Sequence, residues 1–391
     1  MRVAKTLLGL TIAVCAFANT STAQVGKPLP LPVPPPAVKQ SPGTLAVAKP
    51  VMLSTMRLGV AGLSHDHVHL ILSDYRDGKV NMVGIAEANK DLRARMQKQY
   101  NIPDSLMFDD LKKMILAKKP QVVLGYNPVA KHVDIVETCA PLGISVMVEK
   151  PLAATLQQAR RMEFLALKYY IRLLTNYETT WYPSFNKVRE VANKDSIGQI
   201  RRMVVHDGHE GPKEINCSKD FTDWLTDPDM NGAGALNDFG CYGANLMTWL
   251  LNGQRPTAVT AIARHYKPQT YPKVEDDATI IVEYPTATGI IEASWNWPYS
   301  IKDLEVFGDE GYMHAFDKDN ILTHIDKQPP VTSVAPPIAA PYDNPITYLE
   351  AVVKNPMIGI TDRSSLRNNM IVMQILDAAK RSIAEGKRIV L

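Results

Sequence analysis

From residue 56 onward the chain alternates short apolar segments with longer amphipathic segments, and this alternation limits the folds open to it. The apolar segments are predicted strands and the amphipathic segments are predicted helices. The predicted strands are residues 56–61, 80–86, 121–125 and 146–148, and the predicted helices are 67–74, 91–100, 108–117, 130–142 and 153–170. Strands that alternate with helices predict a doubly wound parallel sheet of the α/β class.

The second half of the chain has a different pattern, with more strands, shorter turns and fewer helices. The predicted strands are 200–206, 258–265, 278–284, 289–295 and 304–308, and the predicted helices are 182–193, 242–251 and 364–385. Strands joined by short turns are typical of antiparallel sheets. We therefore predict a doubly wound domain over residues 54–175 and an α+β domain with an open, largely antiparallel sheet over residues 176–391.

The first 53 residues precede this pattern and divide into two parts. A basic start is followed by an apolar run, residues 6–17, that is too short to span a bilayer, and small residues lead up to Ala23. This pattern predicts a signal peptide over residues 1–23. Residues 24–53 are rich in proline, which favours extended backbone without a core. We predict a linker there, with an arm that lies across a neighbouring subunit as the alternative.

Composition and charge exclude several classes of partner. The chain has 43 Lys and Arg residues, 40 Asp and Glu residues and no block of like charge, so neither nucleic acid nor a membrane surface is expected to bind. Removal of the signal peptide leaves Cys139, Cys217 and Cys241, which are too few for a disulfide framework. We predict a periplasmic or secreted protein that is held by its core and has no membrane contact beyond the export signal.

Charged residues directly follow the fourth predicted strand. Glu149, Lys150 and Pro151 come after Val-Met-Val and stand at the carboxyl end of that strand. In open parallel sheets, ligands bind in the crevice beyond the carboxyl ends of the strands. A surface ion pair is the alternative, since such pairs are common and contribute little to stability. We favour a functional role because of the position of this pair in the sheet.

The turn after the first strand is the candidate site for nucleotide phosphates. Of the three glycines in the Gly-x-Gly-x-x-Gly fingerprint only Gly62 is present, and Ser64 and His67 take the other two places. Glu87 ends the second strand at about the spacing of the acid that binds the adenosine ribose, which favours NAD over NADP. A solvated acid is the alternative for Glu87. The residues expected to bind NAD here are Gly62, Ser64, His65, His67 and Glu87.

The histidines of this turn also raise the question of a metal site. Imidazole and carboxylate groups are good ligands, and His65 and His69 would share one face of a helix. A metal ion would compete with the cofactor for the same turn. We therefore predict no metal and interpret the histidines as contacts to phosphate or substrate.

Three motifs in order give the chain a family resemblance from about residue 56 to residue 391. They are Asn127-Pro128-Val-Ala-Lys-His132, Glu149-Lys150-Pro151 and Gly232-Ala-Gly234-Ala-Leu-Asn-Asp238-Phe-Gly240-Cys-Tyr242. The chain resembles the Gfo/Idh/MocA oxidoreductases, which are similar to glucose–fructose oxidoreductase and inositol dehydrogenase. The resemblance implies a Rossmann domain, then an open sheet whose outer face supports a homo-oligomer. It also implies cofactor contacts from Asn127, His132, Glu149 and Pro151.

For chemistry, the resemblance implies hydride transfer between a sugar-like secondary alcohol and a nicotinamide. Lys150 would approach the substrate hydroxyl and the cofactor, Asp238 would orient the substrate or tune the lysine, and Tyr242 would donate or accept a proton. An ammonium stabilises negative charge on the alcohol oxygen, and a nearby base takes its proton. Tyr has a pKa of about 10, so Tyr242 needs a nearby cation to act as the base. Helix initiation is the alternative for Asp238 and Tyr242.

Four further residues are candidate substrate contacts. Tyr177 and Trp181 follow the crossover into the second domain, where the resemblance places substrate or nicotinamide. His206 and His209 end the first strand of that domain among acids and glycines, and suit a ligand rich in hydroxyls. Solvated loop histidines and a core tryptophan are the alternatives.

The sequence thus predicts an exported NAD-dependent oxidoreductase that acts on a carbohydrate or polyol. Free NAD is expected to be scarce outside the cytoplasm, so the cofactor would be tightly held and recycled. The first alternative is redox-neutral glycoside cleavage through a transient keto-sugar, with elimination and return of the hydride. A second alternative is a non-catalytic protein that binds a sugar or nucleotide, which the incomplete glycine fingerprint suggests.

Overall fold

Six parallel strands form the first sheet in the computed structural model, which describes residues 51–325 and 327–391. Their order is β3-β2-β1-β4-β5-β6. The strands are β1 Ser54–Ala61, β2 Val80–Ala86, β3 Met107–Phe108, β4 Val122–Gly125, β5 Ser145–Glu149 and β6 Leu173–Asn176. This order belongs to the dinucleotide-binding doubly wound fold, so the predicted fold class is confirmed. The predicted signal peptide and most of the proline-rich segment lie outside the described residues.

Helices connect these strands, and capping side chains define where several of them begin. The helices are α1 Val68–Arg76, α2 Lys90–Tyr100, α3 Leu111–Lys118, α4 His132–Cys139 and α5 Leu156–Lys168. The side chain of Asp110 accepts a hydrogen bond from the Lys113 N–H, so α3 begins at Leu111 rather than at the predicted Phe108. Short 3₁₀ turns flank α4 and account for the longer helix predicted at 130–142.

The second sheet has nine strands in the order β14-β13-β12-β11-β7-β10-β9-β8-β15. The strands are β7 Ile200–Gly208, β8 Ala258–Arg264, β9 Asp277–Glu283, β10 Thr288–Ser294, β11 Ile301–Gly308, β12 Gly311–Ala315, β13 Asn320–Ile325, β14 Val331–Val334 and β15 Ile389–Val390. Neighbouring strands are antiparallel except β7 and β10, which are parallel. The largely antiparallel sheet predicted for the second domain is confirmed.

Seven helices accompany this part of the chain. They are α6 Pro183–Asn193, α7 Lys219–Leu225, α8 Pro228–Asn231, α9 Ala235–Asp238, α10 Gly240–Leu250, α11 Pro345–Lys354 and α12 Leu366–Glu385. Helix α10 packs closely on the sheet, because a Cβ atom at Gly243 would lie 2.6 Å from Ile291 Cγ2. Ile291 pairs with Val205 on β7. Val205 and every second residue of β7 therefore face α10, and the intervening residues face the opposite side of the sheet.

The C-terminal part of the chain also contributes to the first sheet. Ile346, Leu349 and Val352 of α11 are buried in one cluster with Leu58 and Val60 of β1. β6 ends at Asn176, and α11 returns from the C-terminal part of the chain to the first sheet, so the domain boundary near residue 175 stays a prediction. Among residues 51–325 and 327–391, no helix is long and apolar enough to cross a membrane.

Candidate active site

The carboxyl ends of β1, β2 and β4 frame a cleft of about 600 Å³ in the first sheet. Gly62, Ser64, Glu87 and Asn127 all line this cleft, so the structure brings together four of the predicted cofactor contacts. Gly62 has φ +81°, and a Cβ atom there would lie 2.6 Å from the Asn127 Cβ. Glycine is therefore required at this position of the turn.

Polar atoms without partners point to a ligand in this cleft. Ser64 Oγ and Asn127 Oδ1 are buried, and no described residue bonds to either atom. Buried polar atoms are normally hydrogen-bonded, so both atoms are suited to contact a ligand. A dinucleotide supplies hydroxyl and phosphate groups in the size range of this cleft.

Glu87 forms hydrogen bonds with the turn after β1 and with the turn after β2. Its Oε2 accepts a hydrogen bond of 2.8 Å from the Leu63 N–H, and its Oε1 accepts one of 2.7 Å from the Asn89 N–H. Each carboxylate oxygen has a second lone pair, so Glu87 retains acceptor capacity for ribose hydroxyls. The described lining residues include six acids and no Lys, Arg or His. This charge disfavours the additional phosphate of NADP.

Next to the cleft, Glu149 holds His67 and Asn176 in place. The buried Glu149 carboxylate bonds His67 Nδ1 at 2.9 Å and accepts a 2.8 Å hydrogen bond from Asn176 Nδ2. His67 and Asn176 keep the pKa of Glu149 below its ordinary value against the effect of burial. Trp181 Nε1 donates to Asn176 Oδ1 at 3.1 Å. Trp181 therefore positions Asn176 and, through it, Glu149.

A buried ion pair joins the two domains. Lys150, directly after β5, donates hydrogen bonds from Nζ to the backbone oxygen of Asp238, at 2.9 Å, and to its carboxylate Oδ1. Trp295 Nε1 donates to Asp238 Oδ2 at 2.9 Å. Burial opposes both charges, but their attraction prevails: the pKa of Lys150 lies above its ordinary value and that of Asp238 below. Two of the three predicted catalytic residues are therefore in direct contact and charged.

The third predicted catalytic residue, Tyr242, packs against this pair. Lys150 Nζ lies 5.0 Å from the centre of the Tyr242 ring, and Lys302 Nζ lies 5.4 Å from it. The cations that a base role needs are thus present, but burial raises the pKa of Tyr242 well above its ordinary value, and Glu178 and Asp207 add to this. Tyr242 is therefore a neutral phenol near pH 7, and its hydroxyl can donate a hydrogen bond to a ligand oxygen.

His132 and Pro151 support the turn that carries Lys150. The Lys150-Pro151 peptide bond is cis. His132 is fully buried, and its Nδ1 bonds the Leu152 backbone oxygen at 3.1 Å. Burial lowers the pKa of His132 to about 4, so the ring is neutral. In this structure His132 contacts the backbone after Lys150 and does not line the cofactor cleft.

Two of the predicted substrate contacts lie away from the catalytic pair. Tyr177 is fully buried behind Tyr242, with its ring edge-on at 5.4 Å and its hydroxyl donating to Asn369 Oδ1 at 2.9 Å. His206 faces the side of the sheet opposite α10, where its Nδ1 bonds Asp303 at 2.7 Å. Neither side chain is placed to reach a ligand beside Lys150.

His209, by contrast, lies at the site. Its ring packs edge-on against Phe239 at 4.9 Å, next to the Lys150–Asp238 pair. Burial lowers the pKa of His209, and its Nδ1 accepts a hydrogen bond from the Gly211 N–H at 2.9 Å. A neutral ring that accepts at Nδ1 carries its proton on Nε2, where it can donate to a substrate oxygen.

Several groups at the site were not predicted from the sequence. Asp207, Glu178, Lys302 and Trp295 surround Tyr242 and the ion pair. A second cavity of about 520 Å³ adjoins them and is lined in part by Glu178 and Lys302. For Asp207, the sequence does contain one indication. Side chains of a strand alternate between its two faces, so Asp207 and His206 must face opposite sides of the sheet, and the structure places Asp207 on the side of α10.

His65, His67 and Glu149 form the one cluster of potential metal ligands among the described residues, with ligand atoms within 4.8 Å of one another. The hydrogen bonding disfavours a metal. His65 Nδ1 accepts from the His67 N–H at 3.1 Å, so a neutral His65 carries its proton on Nε2 and lacks a free lone pair there. His67 Nδ1 is already bonded to Glu149. The histidines suit hydrogen bonds to a ligand better than coordination of a metal ion.

Comparisons with known proteins agree with the fold. One family model, the oxidoreductase family with an NAD-binding Rossmann fold, matches residues 56–177, and the GFO/IDH/MocA C-terminal domain matches residues 185–314. Together the two matches cover more than half of the chain. The chain belongs to the Gfo/Idh/MocA oxidoreductase family, and its first domain is an NAD-binding Rossmann domain.

Curated relatives share part of the chain. A trans-1,2-dihydrobenzene-1,2-diol dehydrogenase from Xenopus laevis is 30% identical over 176 residues, 43% of this chain and 48% of the relative. A D-xylose 1-dehydrogenase [NADP(+)] from Haloarcula marismortui is 25% identical over 186 residues, 47% of this chain and 50% of the relative. The chain thus spans about half the length of these relatives.

Solved structures of other proteins share the fold over most of the chain. An aldose-aldose oxidoreductase from Caulobacter crescentus, complexed with glycerol, has 19% identity and a TM-score of 0.72, covering 86% of this chain and 100% of that one. An inositol dehydrogenase homolog from Azotobacter vinelandii, complexed with NADH and myo-inositol, has 16% identity and a TM-score of 0.73, covering 87% and 99%. At these identities the likeness shows the fold.

The acidic cleft gives a first testable expectation about the cofactor. We expect NAD to bind at least about tenfold more tightly than NADP, because the 2′-phosphate would meet the Glu87 carboxylate. Titration calorimetry on the nucleotide-free protein measures both dissociation constants. Glu87→Gln keeps a hydrogen-bond acceptor for the Leu63 N–H and removes the negative charge. The ratio of the NADP and NAD dissociation constants should therefore be smaller in this variant than in the wild type. Equal or tighter binding of NADP would contradict this reading of the cleft.

Proposed function

We propose that the protein transfers hydride between a secondary alcohol of a sugar or polyol and a tightly held NAD. The observation that carries the proposal is the buried Lys150–Asp238 pair, placed beside the Rossmann cleft and under Tyr242. The relatives named above include a diol dehydrogenase and a xylose dehydrogenase, which supports an alcohol substrate. The cavity beside Lys302 and Glu178 has the charged and polar lining that a ligand rich in hydroxyls requires.

Lys150 is suited to hold the alcohol oxygen during the reaction. An ammonium has three N–H donors, and Lys150 uses two of them on Asp238. No described residue accepts from the third, so it can donate to a substrate oxygen, where the positive charge stabilises the negative charge that develops as hydride leaves. A nicotinamide held by the Rossmann domain would supply the hydride acceptor. Asp238, fixed by Trp295, keeps the ammonium charged and oriented.

Replacement of Lys150 tests this role. We expect Lys150→Met to lower kcat for sugar or polyol oxidation by about 100-fold or more, the typical loss when one such donor is removed. Nicotinamide absorbance measures the rate, and mass spectrometry of the purified protein measures retained NAD. Lys150→Met/Asp238→Asn avoids an unpaired buried carboxylate and controls for folding. A wild type that binds a sugar or nucleotide without turnover, with only that affinity changed in Lys150→Met, would instead support a non-catalytic binding protein.

Redox-neutral glycoside cleavage is a second candidate. The observation in its favour is the number of acid–base groups, since Asp207, Glu178 and Tyr242 exceed what hydride transfer alone requires. The same preparation distinguishes the candidates. Release of free sugar from an aryl glycoside without net cofactor reduction would favour cleavage. Net formation of NADH, or exchange of hydride between two sugars, would favour the oxidoreductase.

We also propose that the protein is exported to the periplasm or secreted. The support is the pattern of residues 1–23, with a basic start, an apolar run and small residues before Gln24. We expect the mature protein from the native host to begin at Gln24 and to lie outside the cytoplasm. N-terminal sequencing of each cell fraction tests this. A cytoplasmic protein that keeps residues 1–23 would contradict it.

We also propose that the protein forms a homo-oligomer through the outer face of the second sheet, the face opposite α10. Ile262 and Ile281 are 56% and 39% exposed on that face, and Ile281 pairs with Ile290. Exposed apolar patches of this kind often mark interfaces between proteins. We expect light scattering to show a dimer or larger assembly that Ile281→Glu dissociates. A wild-type monomer would contradict this expectation.

A further inference from the structure

Asp207 is a buried carboxyl group on the side of the second sheet that faces α10. It is 1% exposed. Its neighbours two and four residues earlier on β7, Val205 and Met203, are buried on that same side. Asp207 thus points toward the helix that carries Tyr242, whereas the adjacent His206 points away from it.

On both strands that flank Asp207, nearby residues contact the predicted catalytic residues. On β11 its partner is Lys302, whose ammonium lies over the Tyr242 ring. On β10 its partner is Ala293, and two residues later Trp295 donates to Asp238. Asp207 therefore lies between Lys302, which contacts the Tyr242 ring, and β10, the strand that leads to Trp295 and its hydrogen bond to Asp238.

One oxygen of the Asp207 carboxyl group has no hydrogen-bond partner in the described part of the chain. Oδ1 is closed off from solvent, and none of the described residues donates a hydrogen bond to it. A buried carboxylate without a donor costs free energy, so such a group requires a functional or structural explanation. A substrate hydroxyl bound at Lys150 is a donor of the required chemistry.

The other titratable groups at the site are unsuited to accept a proton near pH 7. Lys150 is charged and Tyr242 is a neutral phenol, since the pKa of each is raised. Asp238 has a lowered pKa and both of its oxygens are occupied. Glu178 is paired with Lys302, which lowers its pKa to about 2 despite burial. His209 uses its free lone pair on Gly211.

We propose that Asp207 is the general base of the site and takes the proton of the substrate hydroxyl. This assignment rests on the proposed hydride transfer. The O–H bond breaks with its proton going to the Asp207 carboxylate and the C=O bond forms, while the electron pair of the carbinol C–H bond would leave as hydride to a nicotinamide held by the Rossmann domain. In the reverse direction Asp207 returns the proton to the alkoxide oxygen. Lys150 stabilises the charge on that oxygen throughout.

The assignment sets the sign of the pH dependence. Burial raises the pKa of Asp207 well above the ordinary aspartate value, and Glu178 and Asp238 add to this while Lys302 and Lys150 oppose it. Only the ionised carboxylate accepts a proton, so oxidation should speed up as the pH rises through this raised pKa. Reduction needs the protonated form and should slow over the same interval.

Asp207→Asn tests the proposal, with Glu292→Gln as the matched control. Glu292 pairs with His206, one residue from Asp207, but lies on the opposite face of the sheet. We expect Asp207→Asn to lower kcat for oxidation by about 100-fold or more, to abolish the rise of kcat with pH and to leave NAD retention unchanged. Asp207→Glu should restore part of the rate. Glu292→Gln should keep the wild-type pH profile.

An infrared titration supplies a readout that does not depend on turnover. Burial also raises the pKa values of Glu275 and Asp277, so the difference spectrum between wild type and Asp207→Asn is the informative quantity. It should contain a protonated carboxyl band that persists above the ordinary aspartate range. An unchanged kcat profile in Asp207→Asn, or a difference spectrum without that band, would overturn the proposal. If Lys150→Met is inactive while Asp207→Asn behaves as wild type, only the assignment of Asp207 fails. If the wild type transfers no hydride, the proposed function fails together with it.

Discussion

The buried contact between Lys150 and Asp238 is the interaction on which the rest of the site depends. Lys150 comes from the end of β5 in the Rossmann sheet, and Asp238 ends α9 against the second sheet. Two charges taken out of water must be paired, and removal of one partner from such a pair typically costs about 3–5 kcal/mol. The contact therefore couples the cofactor domain to the catalytic domain while it keeps the ammonium charged.

Around this pair, the charges divide the site into regions with different tasks. The Rossmann cleft is lined with acids and suits the adenosine end of NAD. At the other end, the ammonium groups of Lys150 and Lys302 both lie near the Tyr242 ring, and the carboxyl groups of Asp207 and Glu178 are close enough to interact with their charges. The positive groups stabilise oxygen charge and the unpaired carboxyl of Asp207 can exchange a proton. Stabilisation of charge and transfer of the proton are thus assigned to different residues.

Much of the fold could be predicted because periodicity and strand-end chemistry are local properties. Residues 80–86 form β2 as predicted, and the strand before Lys150 lies where its apolar run indicates. Short elements such as β3 and β6 were missed, since two to four residues carry little pattern. In the site, the chemical type of His206 indicates a ligand contact, whereas the structure places its neighbour Asp207 on the side that faces α10. A one-residue step reverses the face of a strand, and that register depends on tertiary packing. The neutral state of Tyr242 likewise follows from burial that no local pattern encodes.

A crystal structure of the protein with NAD and a substrate polyol would test the central claim most directly. We expect the third N–H of Lys150 to donate to the reacting hydroxyl at about 2.7–3.1 Å, with the Lys150–Asp238 contact intact and the nicotinamide beside that carbon. The same hydroxyl should lie within hydrogen-bonding distance of Asp207. A nicotinamide bound elsewhere, or a polyol with no hydroxyl near Lys150, would contradict the account.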